Sequence, residues 1–482
     1  MYKKVLLINP SVAGSYLGPI RPPASLGYIA EYLAAHSIAY DVIDMRLGYR
    51  VSVLWRKIES VKPDLIGVPI WSYRYKETYN FIHAIKQRYP AIAIASGGPH
   101  VSTLRKEVLK GCPEIDFGVV LEGENTLVEL CQGREPSSIK GLLYRDAGEV
   151  VYTGERNFTT ELDGVPFPKY DKFELNKYLL KEILVISSRG CPFDCIYCPV
   201  SLAMGKVLRT RSAENVVDEI EYWYNKNYRQ FNFGDDNFTF VKDRVHRICD
   251  EIQKRGLRNL DLRCGNGIRA DKVDKALLTR MREVGFTYIG IGVEAGNNRV
   301  LDSIKKHERI EHIEQAIQDA CGLGYDVTLF FLAGSPDESL SDINDSITLA
   351  QKYPVFDARF YNIIPYPGTE LFDWLSKNNY FLRNYQDYLN DASVFLNRPL
   401  FTTPQLDVAQ RIDLFRRLRR VENAILRKTI KRKMIKHKII GFIAAYILTS
   451  SLFRYLIRHN KYVRNMIEWA RYKFSSSKLK AL

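Results

Sequence analysis

The chain of 482 residues is 46% hydrophobic and 26% charged, which excludes a disordered polymer and predicts two or three domains with cores of their own. Its eight cysteines are too sparse for a disulfide framework. The start, Met1 to Pro10, is too briefly apolar for a signal peptide, so a reducing cytoplasm is expected. The net charge of +15 is uneven: residues 401–482 hold 20 Lys and Arg against 4 Asp and Glu, leaving the body near neutral and the end strongly basic.

Residues 3–10 read as a buried first strand, and Ala24–Ala35 has helical spacing through Leu26, Ile29, Ala30 and Leu33. Strand-like runs follow at Tyr40–Ile43, Leu65–Ile70, Ala91–Ser96 and Phe117–Leu121, with helical patterns at Val53–Ser60 and Glu77–Arg88. This alternation predicts a doubly wound, Rossmann-like parallel sheet, which binds ligands at the carboxyl ends of its strands. Gly97-Gly98-Pro99-His100 occupies that position after the fourth strand, and Glu122-Gly123-Glu124-Asn125 after the fifth. Either turn could equally be a plain tight turn, and His100 an ordinary turn residue.

The segment Leu162 to Tyr170, with two prolines and a glycine, reads as a domain boundary. A strand at Ile183–Ser187 then delivers Cys191, Cys195 and Cys198, spaced C-x3-C-x2-C within eight residues. Thiolates are the soft ligands of iron–sulfur clusters, and three of them leave one iron of a cubane open. Structural zinc is the alternative, but it needs a fourth Cys or His, and none follows closely. Further strands at Phe231–Phe233, Leu260–Cys264, Tyr288–Val293, Asp326–Phe331 and Arg359–Ile364 complete six units, predicting a partial, TIM-like (β/α)6 barrel. Their carboxyl ends carry Gly234-Asp235-Asp236-Asn237, Arg269, Glu294 within Gly292–Gly296, Gly334-Ser335-Pro336 and the Pro365–Thr369 turn. The acidic turn is either solvated or an acceptor for a cationic ligand. Arg209 and Arg211 either hold anions or sit as surface charges at a helix entry.

The cysteine triad resembles the signature of the radical S-adenosylmethionine (radical SAM) enzymes. The succession of GGPH turn, Glu122–Asn125 turn and triad is similar to the cobalamin-binding subgroup of that family, over about residues 1–380. The resemblance implies a [4Fe-4S] cluster on Cys191, Cys195 and Cys198, whose open iron takes S-adenosylmethionine for reductive cleavage to a 5′-deoxyadenosyl radical. It implies contacts to that cofactor from Tyr197, Gly234, Asp235, Asp236, Arg269, Glu294 and Pro365, with Glu294 and Arg269 as catalytic groups. It implies cobalamin on Gly97, Gly98, His100, Glu122 and Gly123. Arg46 stands near where other cobalamin proteins place an axial histidine, so cobalt is expected to lack a protein histidine. The implied reaction is methylation or other modification of an unactivated carbon on a small-molecule or lipid-like substrate, driven by a reductant such as flavodoxin or ferredoxin. Oxidative cyclisation or rearrangement without methyl transfer is the alternative. RNA-modifying methylthiotransferases carry a second cysteine triad in the first domain, where this chain has only Cys112 and Cys131.

The end of the chain is helical in pattern over Leu414–Lys438, with basic residues Arg416, Arg417, Arg419, Arg420, Arg427, Lys428, Lys431, Arg432 and Lys433. The uncharged run Ile439–Phe453 has 15 residues, about 22 Å as a helix against roughly 30 Å of bilayer core. With Arg454, Arg458, Trp469 and Tyr472 it reads as an interfacial helix at an anionic membrane, on the inner face. Nucleic acid is the competing partner, and no nucleic-acid module is recognisable. The expected divisions are a cobalamin-binding domain (1–150), a linker (151–180), a radical SAM barrel (181–375) and a basic helical region (376–482) whose tail, beyond about Thr402, can be removed without loss of cofactor chemistry.

Overall fold

In the computed structural model the described residues are 1–11, 20–391, 398–435, 438–450, and 452, 453, 456, 460, 462, 463, 466 and 469. Arg454, Arg458 and Tyr472 lie outside them. The chain divides into two compact units. The first comprises Met1–Leu180, Pro199–Thr210 and Tyr385–Ala392; the second comprises Lys181–Cys198, Arg211–Asn384 and the chain from Ser393.

The first unit is built on a seven-stranded sheet: β1 Lys4–Asn9, β2 Ala39–Asp44, β3 Leu65–Pro69, β4 Ala93–Gly97, β5 Phe117–Val119, β6 Leu142–Asp146 and β7 Glu149–Tyr152, in the order β2-β1-β3-β4-β5-β6-β7. Strands β1 to β5 are parallel. Helices Ala24–Ala35, Val51–Val61 and Tyr75–Arg88 connect them, so β1 reads as a continuous apolar run with Val5 to Ile8 buried. The strand order reverses between β1 and β3, the position where open α/β sheets take ligands. The antiparallel pair β6–β7 has no counterpart among the expected elements. Its turn is Ala147-Gly148, both at positive φ (46° and 89°), and an alanine in the first of these positions hides the hairpin from a turn-residue reading.

The second unit holds six parallel strands: β8 Glu182–Val185, β9 Gln230–Phe233, β10 Asp261–Ile268, β11 Phe286–Glu294, β12 Asp326–Ala333 and β13 Asp357–Asn362, adjacent in sequence order. Helices Ala213–Asn225, Lys242–Lys254, Lys275–Glu283, Ile310–Gly322 and Leu340–Lys352 fill the crossovers. The expected alternation is therefore present, with every carboxyl end on one edge.

The basic helix is not a separable tail. Helix Val408–Lys433 starts at a capping box in which Asp407 and Gln410 exchange side-chain bonds with each other's backbone N–H (2.8 and 2.9 Å). It lies on edge strand β13, burying Leu414, Phe415, Leu418, Val421 and Ile425. The backbone N–H of Phe360 on that edge donates to Glu422 Oε1 at 2.8 Å, and Lys433 Nζ pairs with Asp326 at 2.6 Å. Sequence shows the charges of this helix and the 3.6-residue spacing that sets its apolar residues on the opposite face, but not the strand edge that this stripe covers.

Candidate functional site

The cysteine loop hangs from the carboxyl end of β8. A buried latch precedes it: Asp235, after β9, accepts hydrogen bonds from Ser187 N (2.7 Å), Ser187 Oγ (2.5 Å) and Ser188 Oγ (2.6 Å). Arg244 backs the same carboxylate at 3.7 Å and donates to Ser187 O at 3.1 Å. Further along, Cys198 N donates to Cys195 O (3.0 Å), Ile196 N to Ile304 O (3.2 Å) and Leu371 N to Ile196 O (2.9 Å). The loop is thus tied to the turn after β9, to the segment after helix Asn298–Ser303 and to the first turn of helix Glu370–Lys377. None of the three thiols is in a disulfide, and all three are partly exposed. Among the described residues no group of three His, Cys, Asp or Glu side chains has closed into a metal-ligand set. Burial pushes the Cys191 and Cys195 thiols up, opposed by the cations of Lys306 and Arg269. Three soft donors on one tied loop, unlinked by disulfides and facing two cations, suit an anionic iron–sulfur cluster better than zinc.

Around this loop the structure reassigns several expected roles. Both oxygens of Asp235 are engaged by the serines, with Arg244 behind them, so it positions the loop. Asp236 is the carboxylate with no hydrogen-bond or ion-pair partner among the described residues; burial first, and then Asp235, push it up to about 6. Gly234 is there for packing, since a Cβ would stand 2.8 Å from Ile186 Cδ1. Each nitrogen of Arg269 is already engaged: Nε donates to Asp271 (2.9 Å), Nη1 to Lys306 O (2.7 Å) and Nη2 to His307 O (2.9 Å). It stacks 3.5 Å from the ring centroid of Phe193, so in this arrangement it braces the cysteine loop.

Glu294 ends β11 at φ +66°, a costly conformation for a non-glycine residue and one that clusters at functional sites. Its Oε1 accepts from Lys306 Nζ at 3.0 Å, and Lys306 also faces Glu308 at 3.4 Å. Burial alone would lower Lys306; the two carboxylates outweigh it and raise it, keeping a cation beside Cys195. Tyr197 hydrogen-bonds Cys195 and lies near Glu294, its hydroxyl pushed up by burial. Pro365 is buried in the turn after β13, followed by half-buried Tyr366 and, further on, the Thr369 cap of helix Glu370–Lys377. Lys306, Glu308, Ser187, Ser188 and Arg244 were not foreseen. They carry no local motif, and partners 48 residues apart, such as Ser187 and Asp235, are linked only by folding.

In the first unit the turn after β4 fits the close approach of a large ligand. Gly98 has φ +101°, and a Cβ there would sit 2.9 Å from Ile70 O, so only glycine is accommodated. Ser102 Oγ accepts from Leu121 N (2.9 Å) and donates to Gly98 O (3.0 Å), coupling this turn to the loop after β5. Among the described residues the buried Ser96 Oγ has no hydrogen-bond partner, an orphan that a bound group could satisfy. Gly97 and Gly123 border the same strand ends, with Val119 beside both. His100, by contrast, is fully buried: its ring stacks on Tyr75 at 4.2 Å and its Nε2 meets Tyr79 Oη at 3.0 Å. It fills the core behind the turn and offers no surface to a nucleotide tail. Glu122 faces inward too, accepting from Arg209 Nη1 (2.5 Å) and Thr159 N (2.8 Å). Arg209 and Arg211 are accordingly neither anion ligands nor surface charges; both are buried, and Arg211 pairs with Glu219. Arg46 pairs with Asp44 at 2.9 Å, and Tyr178 Oη reaches the same carboxylate at 3.0 Å.

Burial lowers His100 to about 3 from 6.5. The folded state thus binds fewer protons than the unfolded state between these values, so stability is complete above about pH 6.5 and falls as the pH drops toward 3, by up to roughly 4 kcal/mol. Urea unfolding of wild type and His100→Gln across this window is expected to show a shallower acid loss in the variant; equal slopes would contradict the assignment.

Three thiolates at the carboxyl edge of a parallel sheet, in a chain that also carries a Rossmann-type sheet, define an α/β enzyme built around an iron–sulfur cluster. Residues 185–350 match the model of the Radical SAM superfamily, and residues 10–131 match that of the B12 binding domain. The chain therefore carries a Radical SAM domain and, ahead of it, a B12-binding domain. It is 29% identical over 397 residues to an "uncharacterized methyltransferase" of Pyrococcus horikoshii, covering 80% of this chain and 86% of that one. It is 28% identical over 393 residues to the anaerobic magnesium-protoporphyrin IX monomethyl ester cyclase of Rubrivivax gelatinosus, covering 77% and 70%. The solved structure of the cobalamin-dependent S-adenosylmethionine radical enzyme OxsB shares the fold, with a TM-score of 0.74 at 17% identity over 92% of this chain and 72% of that one.

Proposed function

We propose that this enzyme methylates, or otherwise modifies, an unactivated carbon of a small-molecule or lipid-like substrate. The carrying observation is the edge of the second sheet, where the thiol loop, the unpartnered Asp236 and the strained Glu294 with its Lys306 partner meet. Bound at the two sites, a [4Fe-4S] cluster supplies the electron for cleaving S-adenosylmethionine and cobalamin supplies methyl transfer. Cys191, Cys195 and Cys198 would hold the iron. Asp236 would accept the amine of S-adenosylmethionine, a charge-assisted bond that needs its ionised form. Lys306 would offset the negative charge of the thiolates, and the Asp235–Ser187–Ser188 latch would keep their loop in place. Gly97, Gly98 and Ser96 would border cobalamin. A cytoplasmic flavodoxin or ferredoxin would deliver electrons. The likeness to a cyclase favours cyclisation without methyl transfer as the second reading.

Reduced, reconstituted protein incubated with methyl-labelled S-adenosylmethionine is expected to release 5′-deoxyadenosine and to bind hydroxocobalamin at tens of micromolar or tighter, about 6 kcal/mol or more. Label transfer to cobalamin supports methylation, and its absence alongside deoxyadenosine release supports cyclisation. Neither release nor binding would overturn the reading.

A further inference from the structure

We propose that the C-terminal helix pair is a docking surface for an anionic lipid bilayer, with helix Lys438–Thr449 lying along the surface. This inference is independent of the reaction. Helix Lys438–Thr449 packs on helix Val408–Lys433 through its small residues: Gly441, Ala445 and Thr449, four apart, are buried. A Cβ on Gly441 would approach Met434 Cβ to 2.8 Å, and Arg427 Nε donates to Thr449 Oγ1 at 2.6 Å. Ordinary amphipathic packing is therefore inverted. The large apolar residues Ile439, Ile440, Phe442, Ile443, Tyr446 and Ile447 face outward, with Ile439 at 78% and Phe442 at 53% exposure. A contiguous apolar face of this kind marks an interaction site.

Charge decides the occupant. Lys431 Nζ lies 4.5 Å from the Phe442 ring centroid and Arg427 lies 4.5 Å from that of Tyr446, so cations rim the apolar face. Arg416, Arg417, Arg420 and Lys428 are exposed on the supporting helix, with no ion-pair partner among the described residues. A second copy would set this surplus against an identical one, which disfavours self-association. Nucleic acid would use the cations and leave the isoleucines and Phe442 in water. An anionic bilayer surface satisfies both, with the apolar side chains below the headgroups and the cations among them. No described helix is long and apolar enough to cross a membrane, which fits a helix lying in the interface.

Full-length protein should co-sediment with vesicles of phosphatidylcholine and phosphatidylglycerol in equal parts, and much less with phosphatidylcholine alone. Raising the salt should weaken binding without abolishing it, because the apolar contribution is not screened. The double variant Phe442→Ser, Ile443→Ser, whose side chains are half exposed and support no core, should weaken partition about 100-fold. Its thermal transition should stay at the wild-type value. The pair Ile439→Ser, Ile440→Ser provides the same reading should the first variant misfold. Equal binding of either variant, RNA binding without vesicle binding, or a dimer in solution that the variants abolish would each overturn the proposal.

Discussion

Replacing any one of Cys191, Cys195 or Cys198 with alanine is expected to abolish iron retention and cleavage of S-adenosylmethionine. Each thiolate would satisfy one iron of the cluster, and loss of a protein ligand removes binding energy that no neighbour supplies. Near the loop are Asp236, Glu294, Lys306 and Arg269, and His307, whose Nε2 is held by Asp194 at 2.7 Å: the cations cannot ligate iron, a carboxylate is a hard donor, and the imidazole nitrogen facing the loop is already engaged. The remaining five cysteines offer no substitute. Cys112, Cys131, Cys249 and Cys264 are buried, with thiols raised by burial, and Cys321 follows the same pattern at about 11. Anaerobic reconstitution with iron analysis and deoxyadenosine assay checks this. A single variant with full iron content and activity would remove the cluster assignment. Asp235→Ala forms an instructive contrast. It frees Ser187 and Ser188 while sparing every thiol, so iron should bind but be lost faster, as expected when a residue that orients ligands is removed.

Deletion after Thr402 is expected to destroy the second unit. The deletion exposes the surface covered by Leu414, Phe415, Leu418, Val421 and Ile425, on the order of 10 kcal/mol as an upper estimate, comparable with the whole stability of a domain. It also removes Arg411, a buried side chain that donates to Gly334 O (3.1 Å), Thr403 Oγ1 (3.1 Å) and Leu406 O (3.2 Å). Gly334 begins the turn after β12, where Glu338 accepts from Gly334 N and Ser335 N (2.6 and 3.0 Å) and is pushed up to about 7 by burial. Without Arg411 that carboxyl loses its nearby cation, and the β12 turn loses its outer support. Deletion from Lys438 onward, which takes the docking helix but leaves helix Val408–Lys433, should keep the thermal transition near wild type. Calorimetry of the two deletions separates a structural helix from a dispensable tail. A wild-type transition in the chain ending at Thr402 would restore the view of the tail as removable.

The chemistry of the loop was legible because it is local: C-x3-C-x2-C needs no tertiary partner to be recognised. Both parallel sheets were legible for the related reason that doubly buried strands read as apolar runs, whatever they pack against. Roles were less legible than positions. Asp235 and Asp236 are adjacent and chemically identical, yet folding spends the first on two serines and leaves the second open. Arg269 stands where a cofactor contact was expected, but the carbonyls of Lys306 and His307, which no pattern announces, claim its donors.

The same division runs through the C-terminal region. Charge and apolarity are properties of residues, so the surplus of cations and the run Ile439–Phe453 could be read directly from the chain. Which side of each helix faces protein depends on what it meets. The apolar stripe of Val408–Lys433 turns inward because edge strand β13 offers unpaired backbone and apolar surface. The apolar face of Lys438–Thr449 turns outward because its small residues allow closer approach to the neighbouring helix. Motif, element type and net charge are local quantities and survive in one dimension. Partner choice, burial and the direction a side chain faces arise only when distant segments compete for the same contacts.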